Sequence, residues 1–444
     1  MVKLQILLPA AVLLCGTVIN ASLSAASLNI DTDYRMRGIS FTNIDYDNTT
    51  SSDTAAYYSQ RLQLSITGKP NPDVEIGARL TAIGVAGSTT TFFAVPYSRT
   101  DFTPYVENAY FRINSIAELP IDIIAGKQTM EYGDGLIVSD NGTGFTGFRI
   151  LGRYRWYVPL QAELFTAKIK DSFRQGSDID LAGAVGSVQW KQHTWELGYF
   201  DVQDYSGSKY FRGTNAYDTK AIVKEYYDIR IGRKENISSY QFEIAQQKGY
   251  VTRTDNAQIN LSGLGYVAQG ELIGEKTKLG KVGAHALIAV FSGETNLGAF
   301  QDDNSFSPTL TRRYDGLERS GYGELFAATP TDGFLPLPGS YSGIDTLNIG
   351  AKFSPLYAWT LGVDYFLYSA SQGPNGAPTA SGFERIFGAE FTLGVELDLS
   401  VKYAYSKNIE TRFSFNRYTP PKFETLWPKT EPDTRYQLEM AAKF

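Results

Sequence analysis

The sequence predicts an all-β fold: a transmembrane antiparallel β-barrel of about 18 strands, with a long constricting or plugging loop. Three observations predict it. The chain opens with an export signal, apolar residues then recur at every second position, and a strand of that kind ends on a terminal aromatic.

The amino-terminal segment sets the compartment. Met1 to Ala26 begins with Lys3, runs apolar from Leu4 to Ile19 and reaches the small residues Ser24, Ala25 and Ala26. That order reads as a secretory signal peptide (1–26) cleaved after Ala26, leaving 27–444 as the barrel. Its apolar core is too short for a permanent transmembrane helix, and no later run is long enough to span a bilayer as one, which excludes a helical membrane protein. The single cysteine, Cys15, lies inside the signal, so the exported chain uses no disulfide. Leu14 rather than a small residue precedes Cys15, which argues against a lipoprotein anchor.

Composition points the same way. The chain is 43% hydrophobic, but those residues are dispersed among 29 Tyr, 26 Phe and 42 Gly instead of gathering into continuous runs or amphipathic helices. Dispersal at alternate positions suits a sheet with lipid on one face and water on the other. An exported chain with that pattern belongs in the bacterial outer membrane. The net charge of −6 decides little, because loops and lumen carry charge independently.

The strands follow in order. Leu62, Leu64 and Ile66 oppose Arg61, Gln63, Ser65 and Thr67; after the turn GKPNPD, Val74, Ile76, Ala78 and Leu80 oppose Glu75, Gly77, Arg79 and Thr81. Two such strands around a Gly/Pro/Asn turn predict a hairpin. The device recurs at Leu347 to Phe353, the turn SPLY, and Trp359 to Tyr365. It ends with Tyr436, Leu438, Met440, Ala442 and Phe444, a terminal pattern resembling the signal by which outer-membrane barrels are recognised for assembly. Tight turns fall near Pro70, Leu119, Val158, Gln192, Glu235, Gly274, Pro355 and Lys407, on the predicted periplasmic side. Longer connections fall near Asn48, Ala94, Asn141, Gln175, Gly213, Asp315, Pro374 and Pro428, with a short one near Thr254. Those turns give about 18 strands, an even number with both termini periplasmic and a lumen wide enough for water. From about 295 to 342 the alternation stops and Gly and Pro collect, ending in GFLPLPGSYS. A loop of that length is either a constriction folded into the lumen or a mobile surface loop.

The strand from Phe145 to Trp156 is the most informative. Phe148, Ile150, Tyr154 and Trp156 share one parity; Arg149, Arg153 and Arg155 share the other. An arginine facing lipid at the midplane costs about 2–4 kcal/mol, so these three face the lumen or lie at a strand end. The same parity sends Arg61, Arg79, Arg112, Lys352 and Arg412 inward. Rings of Arg or Lys are the device of anion pores, which makes these residues candidate contacts for a permeant anion. Arg149, Arg153 and Arg155 are expected to carry much of the preference. The alternative is that the inward cations pair with Glu75, Glu390, Glu396 and Asp398 and serve only the lumen's own electrostatics. Lys127 shares parity with Ile121, Ile123 and Ala125, so it reaches the lumen only through a bulge or at a strand end.

The segment IDIIAGKQTMEYGDGLIVSDNGTGFTGFRILGRY carries Gly126, Lys127 and Gln128, then Tyr132, Gly133, Asp134 and Gly135, then Phe148 and Arg149. It resembles the alginate-export family of outer-membrane barrels. The stretches LNIGAKFSPLYAWTLGVDYF and GVELDLSVKYAYSKNIETRFSFNRYTP are also similar, and the resemblance runs in order from about Tyr105 to Phe444. It implies a barrel with an electropositive lumen that conducts a polyanionic saccharide, with Lys127 among the contacts. Lys127 stands where the family pattern has Arg; it keeps the charge without the planar fork that grips a carboxylate bidentately.

Catalysis finds little support. There are two histidines: His193 near a tight turn, and His285 on the polar parity with Lys281 and Gly283; no Ser or Asp motif stands out beside either. No HExxH, cysteine-rich spacing, phosphate loop or dinucleotide fingerprint occurs, so no catalytic residue, cofactor or metal is predicted. Asp302 and Asp303 could bind calcium, but an acidic dipeptide in a polar loop reads as solvated. Basic residues are dispersed along strands, which with the compartment excludes nucleic acid. The expected partners are outer-membrane lipid, a permeating anionic saccharide or small anion, the barrel-assembly machinery through Phe444, and, for an export channel, periplasmic proteins. A porin for small anionic solutes is the alternative to a saccharide channel; a hydrolase or a structural barrel fits less well.

Overall fold

Period-two alternation becomes a closed sheet. The computed structural model describes residues 27–43, 54–87, 101–155, 157–170, 178–212, 215–274, 280–294, 302–315, 319–333, 342–355, 358–372, 392–421 and 431–444. The signal segment with Cys15, the connections near Asn48, Ala94, Gln175, Gly213, Pro374 and Pro428, and Trp156 and Glu390 lie outside them.

The first strands are Ser27–Thr42 (β1), Ala55–Asn71 (β2), Val74–Gly87 (β3), Asp101–Ile113 (β4), Ile121–Gln128 (β5) and Phe145–Arg155 (β6). Next come Pro159–Lys170 (β7), Ile179–Trp190 (β8), His193–Asp204 with its continuation Lys209–Arg212 (β9), Asn215–Lys234 (β10), Ser238–Arg253 (β11) and Gln258–Ile273 (β12). The last are Lys281–Phe291 (β13), Ser342–Ser354 (β14), Trp359–Gln372 (β15), Thr392–Ala404 (β16), Ile409–Thr419 (β17) and Asp433–Lys443 (β18). The two stretches of β9 run along the same neighbour, β10, so they count as one strand. Each strand pairs antiparallel with the next, and β1 pairs with both β2 and β18, which closes the barrel and leaves no edge in lipid. The eight tight turns all lie at the end that holds Ser27 and Phe444.

The last residue extends the closing ladder between β1 and β18. Phe444 N–H donates to the Thr32 carbonyl at 2.9 Å, and the Phe444 backbone oxygen accepts from the Thr32 N–H at 2.8 Å. Deleting Phe444 removes that pair along with the terminal aromatic. The expected result is that less chain reaches the inserted, heat-modifiable state on gels, while the barrels that do insert keep wild-type conductance. Undiminished insertion would show that the residue is lipid-facing filler.

Outward side chains form the lipid belt: Phe148, Leu197 and Ile349 are each about 60% exposed. Tyr157, Trp190, Trp359 and Tyr405 are exposed at the tight-turn end, where an interfacial girdle sits. No helix of the described residues is long and apolar enough to cross a membrane; the crossing is made by strands.

Among the described residues, two of the apolar clusters inside the barrel join the loops to the wall. In one, Leu325, Phe326 and Ala328 of the long loop pack on Phe41, Tyr57, Tyr368 and Tyr418 of the wall. In the other, Met130, Tyr132 and Ile137, between β5 and β6, pack on Phe165, Phe200 and Tyr226 of the wall and on Phe306 and Leu310 of the long loop. The long loop is therefore a constriction, and the segment between β5 and β6 is a second one. Phe165, Phe200, Tyr368 and Tyr418 occupy lumen-facing positions; an aromatic there needs apolar cover from inside.

Candidate functional site: a constriction of two stapled loops

The site is built outward from the turn after β5. Glu131–Tyr132 pairs with Val138–Ser139 around the turn Gly133–Gly135. Gly133, Asp134 and Gly135 have φ of 60°, 45° and 81°. A Cβ at Gly133 would lie 2.4 Å from Glu243 Oε1, and one at Gly135 would lie 2.8 Å from Arg312 Cβ. The Gly-Asp-Gly spelling thus serves two left-handed positions without room for a side chain, separated by a residue type that tolerates the third. Asp134 accepts from Arg230 at 3.1 Å and from Gln241. The Tyr132 ring stacks on Phe165 with centroids 4.7 Å apart. Its hydroxyl donates to Glu163, which also accepts from Arg149 Nε at 2.6 Å. Further along, Asp140 accepts the N–H groups of Met130 and Gly142. Burial outweighs those bonds and, with Glu107 and Glu131 nearby, pushes its carboxyl up to about 6.

The long loop is stapled onto this turn. Ser139 N–H donates to the Leu310 carbonyl at 2.7 Å, Arg312 N–H donates to the Gly135 carbonyl at 2.6 Å, and Arg312 pairs with Glu131. Asn141 Oδ1 accepts from the Arg313 and Tyr314 N–H groups at 2.7 and 3.1 Å. Upstream, Gln247 of β11 holds Ser305 and Ser307, and Lys224 of β10 donates to Ser307. Downstream, the loop reaches the opposite wall. Asp315 pairs with Arg37 at 2.8 Å and Arg35 at 3.4 Å, and its carbonyl accepts from Arg61 at 2.8 Å. Glu324 pairs with Arg412 at 2.8 Å and Arg435 at 3.0 Å. Burial works against ionisation of Glu324, but Arg412 and Arg435 outweigh it and hold the carboxyl below the usual range. Asp332 is likewise held low against burial by Arg313 and Arg319. The N–H groups of Glu324, Leu325 and Phe326 all donate to Glu396, at 2.9, 2.6 and 3.0 Å. Phe326 lies against Tyr368 and Tyr418, with centroids 4.7 and 4.9 Å away.

Since β10 and β11 lie half-way round the barrel from β1 and β18, the two loops bridge the lumen. Beside them are cavities of about 550, 350 and 270 Å³ that share lining residues around Asp134, Arg230 and Gln241. Their walls carry both signs of charge: Arg149, Arg230, Arg312 and Lys352 against Asp134, Glu163, Glu196 and Glu271. Such a passage offers polar contacts to a small solute while being narrow in cross-section.

Most of the cations expected to face inward do so, and most of those are committed to a carboxylate. Arg79 pairs with Glu107 at 3.2 Å, Arg112 and Arg153 share Asp122, and Lys352 pairs with Glu271 at 3.3 Å. Arg61 lies 3.7 Å from Asp33, and Arg155 is exposed at the end of β6. The partners differ from those expected. Glu75 pairs with Lys69, whereas Glu396 and Asp398 accept loop N–H groups. A bulge between β3 and β4 explains one substitution, because it turns Glu107 inward. Lys127 is a correction. It lies in register with Ala109 and Thr146 on the outer face and donates to the Val106 carbonyl at 2.9 Å, since β5 has no bulge to turn it inward. The inward residues do not form one ring. Arg61 and Arg412 belong to the grip on the loop, and Arg79, Arg112, Arg149 and Arg153 line the β3–β6 wall. Arg35, Arg37 and Arg435 were readable from the alternation around Tyr34, Met36 and Tyr436 but not singled out; Arg312, in the loop, had no such signal.

No protein-family model matches the chain, and no curated protein matches it. Solved structures do. OccK9 (OpdG) of Pseudomonas aeruginosa is 9% identical with a TM-score of 0.52, covering 95% of this chain and 99% of its own. OccK2 (OpdF) of the same organism, solved in complex with glucuronate, is 11% identical with a TM-score of 0.51, covering 94% and 96%. The outer membrane protein OpdK of P. aeruginosa is 10% identical with a TM-score of 0.51, covering 94% and 98%. At these identities the likeness is one of fold: this chain has the closed antiparallel 18-stranded architecture of outer-membrane barrels and resides in the bacterial outer membrane.

Proposed function

We propose that the barrel is a channel for small hydrophilic solutes of monosaccharide size, with anions favoured, and that it does not thread a polymer. The observation that carries this is the pair of stapled loops bridging the lumen. Arg153 and Lys352, both half-exposed, and the exposed Arg155 would bias the remaining passage toward anions by weak, repeated contacts. A barrel of the same fold binds glucuronate, a solute of this size and sign. Export of an alginate-like polyanion is the finer reading that the sequence resemblance suggests. It is less well supported, because Arg149 and Arg412 already hold carboxylates that anchor the two loops, and Arg61 holds the long loop through the Asp315 carbonyl. In this proposal Phe444 is the contact for the assembly machinery.

Reversal potential in a salt gradient tests the charge preference. Replacing Arg153, Arg155 and Lys352 with Gln is expected to lower the anion-to-cation permeability ratio, most clearly at low salt, because screening acts over about 8 Å at physiological ionic strength. An unchanged ratio would overturn the preference for anions. Equal flux of a uronate monomer and its long oligomers would overturn the size limit.

A further inference from the structure

The groups left free for a solute lie on a different wall from the arginines singled out by sequence. The cavity of about 550 Å³ lies against β9 to β14, on the tight-turn side of the Gly133–Gly135 turn. Register sets its lining in two rows. Thr194, Gly232, Gln241, Gln269, Leu287 and Asn348 stand opposite one another across consecutive strands, and Lys234, Ser239, Glu271 and His285 form the next row toward the turns. Neighbouring strands are about 4.8 Å apart, so adjacent side chains can hold neighbouring groups of one ligand.

Many polar groups here are committed. Gln241 donates to Asp134, Asn348 donates to Asp364 at 3.3 Å, and Arg230 pairs with Asp134 and Glu196. By contrast, the side chains of Thr194, Ser239 and Gln269 have no hydrogen-bond partner, and Lys234 has no carboxylate partner, among the described residues. Lys352, half-exposed, holds Glu271 at 3.3 Å and keeps donors to spare.

We propose that this cavity is a binding subsite for a small polyhydroxylated monoanion; the proposal rests on the channel function above. Lys234, with Lys352 beside it, takes the carboxylate. Gln269, Ser239 and Thr194 take hydroxyl groups, since amides and hydroxyls both donate and accept. Glu196 and Glu271 limit the ligand to one negative charge, because a second would face a carboxylate in the same cavity. Tyr240 has the parity opposite to Ser239 and Gln241 and bonds His193 at 2.8 Å on the outer face, so recognition rests on hydrogen bonds rather than on stacking against a tyrosine ring.

The test uses the full barrel in planar bilayers, with gluconate as the probe and block of chloride current as the readout, scaled to each variant's own current. Lys234→Gln and Gln269→Leu are each expected to raise the half-blocking gluconate concentration about tenfold, the equivalent of one charge-assisted or multiple hydrogen bond. Lys248→Gln, altering an outward lysine over Tyr227, should leave it at the wild-type value. Glucarate, the dianion, and sorbitol, the neutral polyol, should both block more weakly than gluconate. Wild-type block in both cavity variants, or stronger block by glucarate, overturns the subsite while leaving the channel standing. A wild-type barrel without chloride current overturns the channel function and the subsite with it.

Discussion

Phe326→Ala unseats the long loop and raises single-channel conductance, and it does so more than Glu324→Gln. Phe326 is fully buried against Tyr368 and Tyr418, and truncating such a side chain costs about 3–5 kcal/mol. That loss shifts the ratio of seated to unseated loop by more than about a hundredfold. Gln in place of Glu324 keeps its packing and can still bond one guanidinium, and the N–H groups of 324 to 326 remain on Glu396. The double variant should therefore add modestly to Phe326→Ala. The same grip gives a pH dependence. The Glu324 carboxyl is held low, so the stability it contributes is present above the ordinary glutamate range and is lost as pH falls through the lowered value. Acidification below about 4 should produce larger, noisier openings in the wild type, and Glu324→Gln should lack that step. Wild-type conductance in Phe326→Ala would mean that the loop is held without Phe326, by its ion pairs and by the staple at Gly135 and Leu310.

Gly135→Val is expected to free that staple while leaving the barrel assembled. A β-branched residue at φ 81° is strained by about 1–3 kcal/mol, and its side chain would collide with Arg312. The readout is hydrogen exchange. Protection of the Ser139 and Arg312 amides, which bond Leu310 and Gly135, should fall by about tenfold or more, while strand amides such as those of β11 and β12 stay protected. Asp134→Ala should have a smaller effect, since it removes bonds to Arg230 and Gln241 but keeps the backbone turn. Equal loss of protection in β11 and β12 would show that the turn is needed for the wall itself.

The two outcomes differ in how far the sequence foretold them. Inward Arg61, Arg79, Arg112, Arg149 and Arg412 were legible from parity. Their partners were not, because Glu107 is turned inward by a bulge and Asp315 and Glu324 lie in a loop without alternation. Lys127 shows the reverse case: simple alternation placed it outside, the resemblance drew it in, and the register of β5 keeps it out. The Tyr-Gly-Asp-Gly motif stood out as a resemblance, yet its role as part of the constriction depends on Phe165, Phe200 and Glu243 from three other strands.

By itself the sequence determined the all-β architecture, the strand number, that the tight turns share the end of the barrel that holds the termini, and the sign of most lumen-facing residues. Each follows from a local rule, the period of two and the cost of charge in lipid, which neighbouring residues satisfy without reference to the rest of the chain. Tertiary structure alone decided that both loops fold inward and which carboxylate meets which arginine. Arg37 and Asp315 are 278 residues apart and Arg230 and Asp134 are 96 apart, so these pairs exist only once the barrel has closed and brought distant strands to face one lumen.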